Sequence, residues 1–178
     1  MDKSCKGYVV RLVQQLGAEM LLQASRRFGL GQEISLVGNL HAASGNLPDA
    51  AELARSGQLA NFSFGQGSLL ASPVQIAAMM NAIVSGGMYR TPFFLECTVD
   101  ETDGTPQKTL AHPQSRRVMS AENAALLRAM LCQVVEEGTA QDAAALEGGA
   151  GGQTGTAPTR PFDAAGTERP HLWFSRIS

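Results

Sequence analysis

The sequence predicts an α+β fold, a cluster of amphipathic helices beside a small antiparallel sheet, on three observations. Apolar residues recur at helical spacing in several stretches, and the two longest of these carry serine caps, Ser72 and Ser120. Two short runs near the end of the chain, 152–157 and 172–177, read as strands instead. Between Tyr89 and Ala111, strand pieces flank Asp103-Gly104, a dipeptide suited to a tight hairpin turn.

Taken in order, Gly7–Leu16 sets Val9, Val10, Leu12, Val13 and Leu16 at helical spacing among polar residues. Gly17 interrupts, and Glu19–Phe28 forms a second amphipathic helix that Gly29 and Gly31 terminate. From Gln32 to Asn61 the periodicity fades. One short helix is expected at Pro48–Ser56, after Asn46, with Asp49 and Glu52 favouring its positive N-terminus. Phe62–Gly67 reads as a glycine-punctuated turn. Ser72 caps a strong helix with Pro73 at its first position and Gly86-Gly87 at its end. Its apolar face is Ile76, Met79, Met80 and Ile83, a core face rather than a binding one. The last helix starts at Ser120 and runs through Leu126, Leu127, Met130, Leu131 and Val134 to Gly138, with Glu136 and Glu137 solvated at its unfavourable end. The loop PTRPFDAAGTERP, rich in turn residues, joins the two closing strands.

Composition excludes several function classes. A chain of 178 residues with 44% hydrophobic residues suits one domain with a real core. Net charge is −2 with 14 basic residues and no basic run, which argues against nucleic acid as a partner. No apolar stretch is long enough to span a bilayer, and MDKSCKGYVV lacks the apolar core and cleavage site of a secretory signal. Cys5, Cys97 and Cys132 are odd in number and widely spaced, so they read as small buried hydrophobes rather than a disulfide framework. His41, His112 and His171 are equally scattered, and no metal site is expected.

The stretch GGQTGTAPT, Gly151–Thr159, invites a phosphate-loop reading, which fails. A Walker loop needs lysine after its last glycine and another glycine five places before it; here Gln153 follows Gly152, and position 147 is Glu147. The dinucleotide pattern fails too, because Thr154 stands where a third glycine would follow Gly149 and Gly151. The strand reading is left.

Six segments in order carry a resemblance that covers nearly the whole chain: SCKGYVVRLVQQLGAEML, ASRRFGLG, FGQGSLLASPVQIAAMMNAIVSGG, LLRAMLCQVVEEGTA, GGQTGTAPT and HLWF. As a set they resemble the C-terminal part of the transpeptidase domain of penicillin-binding proteins, with class B as the nearest kind. The resemblance implies a partial β-lactamase/transpeptidase-like fold in which residues 1–178 are one truncated domain, without its nucleophile segment or final strand and helix. It also implies a serine-type D,D-transpeptidase activity that cross-links peptidoglycan stem peptides and is acylated by β-lactams, with no cofactor. In that family an SxxK serine attacks the carbonyl to form an acyl-enzyme. An SxN motif relays a proton and holds the substrate backbone, while a KTG strand pairs with the substrate and completes the oxyanion hole.

By that resemblance Ser4 matches the SxN serine, with Lys6 standing in the asparagine position. Thr154 and Gly155 match the threonine and glycine of KTG, with Gln153 in the lysine position. Thr156 matches the residue whose N–H serves the oxyanion and whose hydroxyl helps hold the substrate carboxylate. No SxxK occurs in the chain; Thr105-Pro106-Gln107-Lys108 is the nearest approach and lies in the wrong place. The expectation is therefore a chain inactive by itself, the alternative being a non-catalytic module that binds peptide, β-lactam or a partner. The family works outside the cytoplasmic membrane on an anchor; lacking signal and anchor, this sequence as written would stay in the cytoplasm. Two further expectations follow. The two closing strands should form an antiparallel pair with an exposed edge prone to self-association. The Lys6 ammonium should approach Ser4 and the Gln153–Thr154 strand, partly replacing the lost charge.

Overall fold

A computed structural model describes residues 3–95, 97–108, 114–145, 150–157 and 170–177. The chain opens with α1 (Lys6–Leu16) and α2 (Ala18–Arg27), parted by Gly17 alone. Gly17 sits at φ 82°, a left-handed conformation that a side chain would resist, so one helix stops and the next begins without a loop. In α2, Glu19 in the first turn and Arg26 and Arg27 in the last complement the helix dipole. The predicted stripe of α1 is only partly interior: Val13 is buried, while Leu12 and Leu16 are exposed.

The aperiodic stretch holds more structure than its pattern suggests. β1 (Ile34–Val37) and β2 (Leu40–Ala42) form a short antiparallel hairpin whose Ile34, Leu36 and Ala42 pack together with Val74. α3 (Ala50–Leu53) is shorter than predicted, and Asp49 is its cap: the Asp49 Oδ1 accepts the Glu52 N–H at 2.7 Å. α4 (Gln58–Ser63) occupies the start of the segment read as a turn, because Phe62 finds a buried place against Leu22 and Leu53. The turn itself begins only at Phe64.

α5 (Pro73–Val84) is capped as predicted, and more fully. The Ser72 Oγ accepts the Gln75 N–H at 3.3 Å, and the Gln75 Oε1 accepts the Ser72 N–H at 2.9 Å. The Gln75 Nε2 then donates to the carbonyls of Gly29, Gln32 and Ser44 at 3.1, 3.1 and 2.9 Å. A wholly buried amide thus ties the start of α5 to two loops. Met80 is buried as expected; its companions in the interior are the small Ala78 and Ala82, with Ile76 and Ile83 packed at the margin.

β3 (Met88–Arg90) pairs with β6 (Ser115–Arg117), the latter not anticipated from sequence. β4 (Cys97–Val99) and β5 (Pro106–Lys108) pair around the Asp103-Gly104 turn as predicted. Hydrogen bonds from Thr102 to Asp100 and from Thr105 to Asp103 hold both carboxyls below their ordinary range. α6 (Ala121–Glu136) starts at Ser120, whose Oγ accepts the Asn123 N–H at 3.1 Å. Its interior face is Ala124, Leu131, Val134 and Val135; Leu126, expected inside, is exposed because it lies off that face.

A 3-10 turn (Gln141–Ala145) leads toward β7 (Gly151–Ala157), which pairs antiparallel with β8 (His171–Ile177) from Gly151–Ile177 to Ala157–His171. β7 packs on α6, and β8 on α5. The architecture is mixed helix and antiparallel sheet, as predicted, with Met80, Leu131 and Ile177 joining α5, α6 and β8 in one cluster. Cys5 and Cys97 are free and exposed, which corrects their reading as buried hydrophobes; both lie in chain segments that face solvent. His112 and the loop residues 158–169 lie outside the described residues. Among the described residues no helix is long and apolar enough to cross a membrane.

Candidate functional site

β7 is seated by its first two residues. A Cβ on Gly152 would stand 2.6 Å from the Phe174 Cζ and 2.6 Å from the Ser175 carbonyl oxygen; one on Gly151 would stand 3.1 Å from the Cys132 backbone nitrogen of α6. Only glycine lets the strand lie this close to both neighbours. The residues that follow emerge toward solvent: Gln153 and Thr154 are half-buried, Gly155 and Thr156 exposed. Among the described residues β7 pairs on one side only, with β8. The backbone groups of its other edge are those an added strand would use.

Ser4, just before α1, meets this strand from the far end of the chain. The Gln153 Nε2 donates to the Ser4 Oγ at 3.1 Å, a contact between residues 149 apart in sequence. Ser4 has φ 47°, a left-handed conformation uncommon outside glycine, and a non-glycine residue held there is a mark of a constrained site. The other end of the Gln153 amide, Oε1, is buried and has no hydrogen-bond partner among the described residues. One residue on, the Thr154 hydroxyl lies 2.8 Å from the Thr139 hydroxyl in the loop after α6.

Lys6 does not reach this cluster by the expected route. Its Nζ stands 5.2 Å from the centre of the Phe64 ring, held over the aromatic face at the end of α4, which packs against α1. The group that contacts Ser4 from β7 is the Gln153 amide, so the idea that Lys6 restores the charge at the strand is corrected. Of the predicted site residues, Ser4, Gln153 and Thr154 are joined in one network through Thr139, with Gly155 and Thr156 continuing the same strand. Thr139 and Phe64 were missed. Thr139 lies within LLRAMLCQVVEEGTA, but nothing in its local pattern marks a partner fifteen residues on.

The chemistry open to this cluster is polar rather than nucleophilic. A serine attacks only when a base takes its proton, and the amide touching the Ser4 Oγ cannot act as one. Hydroxyls, amides and a free strand edge are instead the parts of a peptide-binding surface.

Known proteins share this arrangement. Residues 1–175 match the family described as penicillin binding protein transpeptidase domain. Stage V sporulation protein D of Bacillus subtilis is 30% identical over 157 residues, which are 88% of this chain and 24% of that protein. Penicillin-binding protein PbpB of Mycolicibacterium smegmatis is 33% identical over 162 residues, 87% of this chain and 24% of its own length. Penicillin binding protein 3 of Mycobacterium tuberculosis, solved with aztreonam, superposes with a TM-score of 0.81 at 28% identity, covering 99% of this chain and 40% of that one. The chain thus spans about a quarter of the curated relatives it matches. With the family match running over almost every residue, the chain belongs to the penicillin-binding protein transpeptidase domain family.

Proposed function

We propose that these residues form the peptide-holding side of a penicillin-binding transpeptidase site, and that the 178 residues by themselves do not form a serine acyl-enzyme. The ligand is a peptidoglycan stem peptide or a β-lactam that mimics it. It lies along the free edge of β7, paired with the backbone of Gln153–Ala157 as an added strand. The Thr156 N–H is one donor for the oxyanion that develops on the attacked carbonyl.

The observation that carries this reading is the hydrogen bond between Gln153 and Ser4. It keeps the SxN-like serine against the KTG-like strand although both motifs have changed. The limit on catalysis comes from the sequence: no serine in the chain is followed three residues later by lysine. Covalent capture needs an oxygen that gives up its proton as it attacks, and Ser4 touches no group able to accept one in the contacts described. A carbonyl held beside β7 would therefore be bound without being opened.

Incubation with a fluorescent penicillin, followed by denaturing electrophoresis and intact mass, tests the second half. No adduct is expected. A stoichiometric adduct abolished by Ser4→Ala would make Ser4 a nucleophile and overturn it. The first half predicts reversible, saturable binding of acetyl-D-Ala-D-Ala peptides, seen by ligand-observed NMR and lost when Gly155→Pro breaks the strand edge. Binding unchanged in that variant would remove β7 from the site.

A further inference from the structure

The Gln153 amide has one end engaged and one end open. Its Nε2 donates to the Ser4 Oγ, while its Oε1 is buried with no donor among the described residues. Buried acceptors are paired almost everywhere in folded proteins, and one left open beside a free strand edge is half of a recognition contact. The serine at the far end of the bond is held in a left-handed conformation, so the amide is aimed by a constrained partner rather than free to turn.

The local electrostatics have one sign. α6 ends at Glu136, with Glu137 capping it, and the chain then reaches Thr139 and its bond to Thr154, the neighbour of Gln153. The carbonyl end of a helix carries a partial negative charge, and two carboxylates add to it. Lys6, two residues from Ser4, is stacked on Phe64. An open acceptor near a negative helix end attracts an N–H group and repels a carboxylate. The Thr156 hydroxyl can donate or accept, so it favours neither, and Gln153 decides.

We infer that Gln153 makes this site selective for a ligand that presents an amide or ammonium N–H beside β7, and turns it away from ligands that present a carboxylate there. The inference rests on the reading of β7 as a peptide-binding strand and names the class of peptide end it takes.

Two probes identical except at the end test it: acetyl-D-Ala-D-Ala as the free acid, and the same peptide as its C-terminal carboxamide. Dissociation constants are measured for the 178-residue chain by NMR titration at neutral pH. The carboxamide should bind about tenfold more tightly than the acid, the scale of one well-placed polar contact. Gln153→Lys should reverse the order, and Gln153→Glu should widen it further in favour of the carboxamide. Far-UV circular dichroism establishes that each variant is folded; if the lysine variant is not, the glutamate variant decides. Equal binding of the two peptides, or preference for the acid, by the unmodified chain overturns the inference and leaves the peptide-strand reading standing. Failure of both peptides to bind the unmodified chain and every folded variant overturns the two together.

Discussion

Thr139 and Thr154 meet hydroxyl to hydroxyl at 2.8 Å, joining the loop after α6 to the middle of β7. The bond fixes where Thr154 points, and with it the run Gln153–Thr156. Thr139 is exposed, so the bond competes with water and contributes modestly. A double-mutant cycle with Thr139→Val and Thr154→Val should give a coupling of about 0.5 kcal/mol in urea unfolding. Fully additive single effects would show that the two hydroxyls act independently.

Restoring the family pattern should not restore covalent chemistry. Lys6→Asn with Gln153→Lys would rebuild the SxN and KTG motifs around Ser4 and Thr154. Neither change supplies an attacking oxygen with a base beside it. The double variant should remain unlabelled by fluorescent penicillin at every time point. A new covalent band would show that charge, rather than a nucleophile, was the missing element.

Gln75 offers the largest expected loss of stability. Its side chain is wholly buried and supports three backbone carbonyls besides closing the cap of α5. Gln75→Leu keeps the volume roughly but strands those carbonyls without a donor. The cost should be about 3 kcal/mol or more, from unsatisfied buried acceptors and the lost cap. Chemical denaturation reads it directly, and a loss below about 1 kcal/mol would mean that the three carbonyls find other donors.

Two glycines of β7 should respond in opposite ways. Gly152→Ala drives a methyl to 2.6 Å from the Phe174 ring and from the rigid Ser175 carbonyl, which should cost about 1–3 kcal/mol. Gly155→Ala meets its nearest atom, the Trp173 Cβ, at 3.5 Å, an ordinary contact. It should be neutral or slightly stabilising, since alanine loses less backbone entropy on folding. Thermal melts of the pair test this, and equal destabilisation would contradict the seating of β7.

Tyr89 should give the protein an alkaline limb. Burial pushes its hydroxyl above the ordinary 10.0, opposed by the smaller effect of the Arg116 guanidinium, which lies 4.3 Å from the ring centre. The folded state therefore keeps its proton longer than the unfolded state does. That contribution is fully present below about pH 10 and is lost as pH rises through the folded value. Between pH 8 and 11.5 the melting temperature of the native chain should fall more steeply than that of Tyr89→Phe. Parallel curves would assign the alkaline loss to other groups.

What the sequence determined by itself is local. Ser72 and Ser120 announce α5 and α6 because a cap and its N–H partner lie within three residues of each other. Gly17 parts α1 from α2, and β7 and β8 are long enough for their seven-residue runs to be recognised. The strands β1, β2 and β6, at three or four residues, are too short for alternation to stand out from loop. α4 was hidden by the glycines after it, although Phe62 draws it into the core. The site divides the same way. The residue types at 4, 6 and 153–156 were legible, including the exchange of lysine and amide. That Gln153 reaches Ser4, that Thr139 holds Thr154 and that Phe64 holds Lys6 were decided by the tertiary structure. Each of these contacts joins residues from separate elements, up to 149 positions apart, and side-chain direction across such a distance is set by how helices and sheet pack, which no local pattern encodes.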